Sequence, residues 1–139
     1  MTGELVDALA AEHAAIFGYG VVGAQLTGAV QEAARQAEAA HRTRRDALLV
    51  RLTADGASVP PAEPAYALPF PVSGPVAAAR LGVHIEERAA AVWRRALAGT
   101  TGPTRQLALD ALVDCAVRAT RWRKVAGVSP VTVALPGTP

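Results

Sequence analysis

The stretch Ala57-Ser-Val-Pro-Pro-Ala-Glu-Pro-Ala-Tyr-Ala-Leu-Pro-Phe-Pro-Val-Ser-Gly74 decides the architecture of this chain. Pro60, Pro61, Pro64, Pro69 and Pro71 forbid helix and favour an extended, polyproline-like backbone. At about 3.1 Å per residue such a segment reaches over more than about 50 Å. On each side lies a pair of long helical patterns joined by a short turn, the first near Thr27-Gly28 and the second between Gly99 and Gly102. The spacing predicts helices over 3–26, 28–54, 75–98 and 103–126, with an extended tail over 127–139. Each helix is about 36 Å long at about 1.5 Å per residue, so the prolyl segment can return along the full length of the second. The expected fold is all-α: a single domain over 1–139, built as two antiparallel helical hairpins joined by a long Pro-rich crossover.

Composition agrees. Hydrophobic residues make up 51% of the 139 residues but aromatics only 4%, and the abundance of Ala favours close-packed helices over sheet. The formal charge of +2 is too small to argue for nucleic acid as a partner. Cys115 is the sole cysteine, in an apolar run, which reads as a buried thiol. Glu4 and Asp7 stand where a signal peptide would carry positive charge, and no cleavage pattern follows. The apolar stretch from Ala14 to Val30 is short, rich in Gly and Ala, and interrupted by Gln25 and Thr27. A buried helix is expected there, with no membrane partner and a cytoplasmic location.

Polar residues interrupt the apolar stripes near mid-helix. Glu12 falls among Leu5, Leu9, Tyr19 and Val22; Glu38, His41 and Arg45 fall between Ala34 and Leu48; Glu86 falls between Val83 and Ala90. Glu12 and His41 each lie about fifteen positions from the first turn, and the crossover brings Glu86 to nearly the same level. Buried carboxylates and imidazoles need a metal or an ion-pair partner. Glu12, Glu38, His41 and Glu86 are therefore candidate metal ligands, suited to Fe or Mn. Glu38-Ala-Ala-His41 is one of the two Glu-x-x-His pairs that a di-iron carboxylate centre needs, but no second Glu-x-x-His exists. The competing reading is internal ion pairing, with Arg45 neutralising an inward carboxylate and Arg42 pairing with Glu38 one turn away. On that reading no cofactor is bound.

The remaining features read as structural. Asp110 and Asp114 share an outward face of the fourth helix with Arg118 and Arg121, His13 and His84 fall on partly exposed faces, and Trp93 and Trp122 read as packing residues. Gly18, Gly20 and Gly23 mark a close helix–helix approach, within the chain or between subunits. No phosphate-binding loop or nucleophile elbow is present, and no catalytic residue is assigned.

Ala11-Glu12-His13-Ala14-Ala15 with Tyr19-Gly20, His41-Arg42 with Arg44-Arg45-Asp46-Ala47-Leu48, Tyr66-Ala67-Leu68-Pro69-Phe70-Pro71-Val72 and Trp122-Arg123 together resemble the bacterial ferritin-like family catalogued as domain of unknown function 4439. The resemblance spans nearly the whole chain and implies a ferritin-like four-helix bundle, while leaving its role open. The expectation is a non-catalytic binding or association module with a degenerate metal site, working as a homo-oligomer, a dimer, through the Gly-rich first helix and the Val-rich tail. The alternatives are a metal-binding protein or metal-dependent oxidase, and a binder of a small apolar or anionic ligand beneath Tyr66–Val72.

Overall fold

A computed structural model describes residues 2–139. It is built from α1 (Thr2–Ala24), α2 (Gly28–Ala54), α3 (Gly74–Ala98) and α4 (Gly102–Ala126), with no strand among the described residues. α1 ends two residues earlier than the spacing predicts. Turn chemistry sets the other boundaries. Gly56 takes φ +69° after α2, while the N–H of Ala57 reaches Leu52 O at 2.9 Å and that of Gly56 reaches Thr53 O at 3.0 Å. Gly127 ends α4 in the same way, with Val128 N–H on Arg123 O at 2.9 Å. Both are left-handed C-terminal caps that only glycine adopts without cost.

α1 packs against α2 and α3, and α3 against α4. The beginning of α1 meets the end of α3, where Glu4 lies beside Gly99, and the Gln25 side chain accepts the Gly74 N–H at 2.9 Å at the other end. α1 is therefore antiparallel to both its neighbours, and α2 and α3 run parallel. That topology requires the crossover of residues 55–73 to climb the whole bundle. The crossover is fastened by Tyr66 against Phe17, with ring centroids 5.7 Å apart, and by Phe70 against His84 at 6.5 Å. The tail over 127–139 bends across α3 and α4, held where Arg123 donates to Val131 O at 3.1 Å and Arg94 to Pro136 O at 3.2 Å.

Apolar side chains form two clusters, one around Leu5, Leu9, Leu48, Leu52, Trp93 and Leu112, the other around Tyr19, Val22, Leu26, Leu81, Ile85 and Trp122. α1 is, among the described residues, long and apolar enough to cross a membrane, yet it spends its buried face on these clusters. On α4, which apolar spacing turns inward through Leu109, Leu112, Val113, Ala119 and Trp122, the structure buries Leu112, Ala119 and Trp122 but not Leu109 and Val113. Ala108, Ala111, Cys115 and Ala119 are buried, while Leu109 and Val113 are 41% and 53% exposed. Small residues on the inner face let α4 approach α3 closely, so the bulkier stripe turns outward.

The glycines of the helices divide by what surrounds them. A Cβ on Gly82 would lie 2.7 Å from the Trp122 indole, one on Gly18 would meet the flexible end of Ile85 at 2.6 Å, and one on Gly20 would meet nothing within 4 Å. An alanine in mid-helix otherwise gains about 0.5–1 kcal/mol over glycine. Urea denaturation is expected to rank the variants accordingly: Gly20→Ala stabilised by up to about 1 kcal/mol, Gly18→Ala near neutral, and Gly82→Ala destabilised by about 1–3 kcal/mol.

Candidate functional site: a charged layer at mid-bundle

Between the two apolar clusters lie three fully buried polar side chains, Glu12 of α1, His41 of α2 and Glu86 of α3. Helical periodicity puts them there, since each replaces one apolar residue in an inward stripe. His41 stands at the centre. Its Nδ1 lies 2.5 Å from Glu12 Oε2 and its Nε2 lies 3.0 Å from Glu86 Oε1. Only a doubly protonated ring can donate to both carboxylates. Burial alone would lower the His41 pKa, but the charge of Glu86, a hydrogen bond to each of Glu12 and Glu86, and the charge of Glu12 outweigh it and raise it to about 9.

Further donors complete the carboxylates. Trp93 Nε1 donates to Glu12 Oε1 at 2.7 Å, and Arg44 approaches the same oxygen at 3.5 Å. Burial alone would push Glu12 up, but the His41 hydrogen bond and charge, with Arg44 and Trp93, hold it below the ordinary carboxylate value. Tyr19 donates its hydroxyl to Glu86 Oε1 at 2.5 Å and accepts the Trp122 indole N–H at 2.8 Å, with its ring stacked on His41. Burial, then the Glu86 charge, pushes the Tyr19 phenol well up. Arg44 continues the layer outward, donating to Asp114 Oδ2 at 2.6 Å, and Asp114 also pairs with Arg118. With His41 protonated, the carboxylates of Glu12, Glu86 and Asp114 face the cations of His41, Arg44 and Arg118, one for one.

The structure brings together Glu12, His41 and Glu86 but not Glu38, which lies at the bundle surface and pairs with Arg42 at 2.8 Å. Glu38 and His41 are three positions apart, about 60° from each other around the helix, and that offset is enough to leave Glu38 at the edge of the inward face while His41 points to the axis. Arg45 does not reach an inward carboxylate; it pairs with Asp46 at 2.8 Å, and the neighbouring Arg44 enters instead. Asp114, expected on a solvated face, is drawn in by that same guanidinium. Sequence reading passed over Tyr19, Trp93 and Trp122 as packing residues. The signal was present: Tyr19 follows Glu12, and Trp93 follows Glu86, by seven positions, two helical turns on the same stripe, and a buried indole N–H needs an acceptor.

The donors do not fit a resident metal ion. Both His41 nitrogens face carboxylate oxygens at hydrogen-bond distance, so neither offers a lone pair, and no group of three His, Cys, Asp or Glu among the described residues is arranged around a common point. Glu86 Oε2 is buried without a hydrogen-bond partner among the described residues. The Cys115 thiol is near enough to feel the Glu86 charge, and burial first, then that charge, pushes its pKa well up. Among the described residues a further side-chain neighbour besides Glu86 is Arg44, whose Nη1 lies 3.9 Å from Sγ.

The His41 contribution to stability is complete below the unfolded-state pKa of 6.5 and disappears as pH climbs through about 9. At about 1.4 kcal/mol per pH unit the displacement corresponds to roughly 3 kcal/mol. Glu12 and Asp114 act in the opposite sense: their pKa values lie below 4.5 and 3.8, so their contribution is present above those values and is lost as pH falls beneath them. Urea midpoints measured against pH are expected to plateau between 4.5 and 6.5 and fall on both sides, with the alkaline limb absent from a His41→Gln variant. Glu12→Ala, which strands a buried cation, should cost about 3–5 kcal/mol, whereas Arg45→Ala should stay within about 1 kcal/mol.

No curated protein matches this chain. The crystal structure of a conserved hypothetical protein, rv2844, from Mycobacterium tuberculosis superposes with a TM-score of 0.85 at 43% identity, covering 88% of this chain and 94% of that one. A family model matches residues 4–139, which is nearly the whole chain. The chain therefore belongs to the family described as domain of unknown function 4439.

Proposed function

We propose that this protein is a non-catalytic, cytoplasmic binding and association domain on a ferritin-like bundle, in which a protonated histidine has taken the place of a metal centre. What supports the reading is the engagement of both His41 nitrogens by Glu12 and Glu86. An imidazolium, together with the Arg44 guanidinium beside Glu12, supplies the positive charge that two buried carboxylates need, and does so without a metal ion. Glu86 Oε1 receives His41 and Tyr19, and Glu12 receives His41 and Trp93, so the hydrogen-bonding of the layer converges on the imidazole and leaves Glu86 Oε2 without a hydrogen-bond partner among the described residues. Association as a homodimer belongs to the same proposal. Its support is the outward stripe of Leu109, Val113 and Val117, 41%, 53% and 44% exposed, of which Val113 and Val117 border one groove together with Val133 of the tail.

A metal-binding reading draws on one observation, the unpartnered Glu86 Oε2 beside Cys115. Metal analysis separates the two. Protein purified without chelator, then offered Fe(II) or Mn(II) anaerobically and desalted, is expected to retain only sub-stoichiometric metal. One equivalent of metal, lost on His41→Ala, would overturn the proposal. Light scattering after size exclusion is expected to give a dimer that Val113→Glu dissociates; a strict monomer at micromolar concentration removes the association part.

A further inference from the structure

On the face away from α2, α1 and α3 leave a groove of about 580 Å³, roofed by Tyr66, Leu68 and Pro69 of the crossover. This lies within the usual size of a small-ligand site, about 300–1,000 Å³. Its floor is made by short and branched apolar side chains, among them Ala14, Phe17, Leu81, Ile85 and Val92. Both long walls are helices whose backbone groups are already bonded within the helix. A peptide strand laid in the groove would lose water from its own N–H and C=O groups and find nothing to replace it, whereas an alkyl chain has no such groups to satisfy.

The rim is cationic. Arg88 and Arg95 border the groove from α3, and among the described residues neither has an ion-pair partner, which is true also of Arg80, Arg94, Arg105 and Arg121 elsewhere on the bundle. Arg80 and His84 precede Arg88 at intervals of four on the same helix face. The acid on the opposite wall is Asp7, near the Arg95 end, which leaves Arg88 as the uncompensated charge. Burial, then the charge of Arg88, lowers His84, so at neutral pH it is an uncharged hydrogen-bonding group beside that guanidinium.

The geometry points to a binding site for a single-chain amphiphile with an anionic head, a long-chain carboxylate, its chain under the Tyr66–Pro69 strap and its head on Arg88. A bidentate guanidinium–carboxylate pair at the edge of an apolar trough matches that chemistry at both ends. The inference names the ligand class of the binding module proposed above and rests on that reading.

Titration calorimetry of the full chain with decanoate, below the concentration at which it forms micelles, is expected to show one saturable site, with decyltrimethylammonium giving none. Arg88→Glu, an exposed substitution, should weaken decanoate at least about tenfold, the loss associated with one charge-assisted hydrogen bond. Ala14→Phe, which fills the floor, should abolish binding. Absence of saturable decanoate binding, equal affinity for the cationic analogue, or an Arg88→Glu variant that binds as well as the parent would overturn the inference. So would binding to phosphatidylglycerol vesicles without binding to monomeric decanoate, which would make the site a membrane contact. The metal content of the same samples keeps the two proposals apart: metal with decanoate binding overturns only the metal-free reading, and neither metal nor decanoate overturns only the groove.

Discussion

One protonated imidazole between two buried carboxylates holds the rest of the structure in register. His41 lies on α2, Glu12 on α1 and Glu86 on α3, so a single side chain ties three helices at one level of the bundle axis. Apolar contacts alone would tolerate small slides of one helix past another. A buried charge does not, because moving His41 by one turn, about 5.4 Å, would strand an uncompensated carboxylate on each side. Net stabilisation by such a triad relative to an all-apolar layer is not required for this; the penalty for breaking it is enough to select one alignment.

The surrounding construction follows from that constraint. α1 lies antiparallel to both α2 and α3, so α2 and α3 are parallel, and the chain must travel the length of the bundle between them. Proline-rich sequence suits such a connector, because it is extended before folding and loses little entropy on docking. Indole and phenol groups then close the layer: Trp93 and Trp122 occupy apolar positions but deliver N–H donors to Glu12 and to Tyr19. Where the layer reaches the α2–α4 seam, Arg44 and Asp114 carry it to partial exposure, so its outermost charges are solvated and its innermost are paired.

The helices, the crossover and the meeting of Glu12, His41 and Glu86 were legible because they follow from period and distance: apolar residues at steps of three and four, glycines at the ends, and equal separations from the turns. What was not legible turns on rotation within a single residue step. Arg44 and Arg45 are adjacent, and period alone cannot say which points at the axis. Glu38 lies close enough to the inward stripe to be counted with it, yet its side chain finds Arg42 and solvent. The rotation of α4 was also hidden, because its large apolar residues Leu109 and Val113 form an outward stripe while alanines and Cys115 face the core. Close approach of helices favours small side chains inside, and a scale that rewards size places Leu112 and Trp122 correctly but misplaces Leu109 and Val113.

The protonation state of His41 tests the central claim most directly. Long-range proton–nitrogen correlation NMR spectra at neutral pH distinguish an imidazolium from either neutral tautomer, and the three histidines separate by their environments. The account predicts that both His41 nitrogens carry protons at neutral pH, while His13 and His84, whose pKa values are lowered, are neutral. A neutral His41 ring, with one bare nitrogen available as a ligand or base, would contradict it.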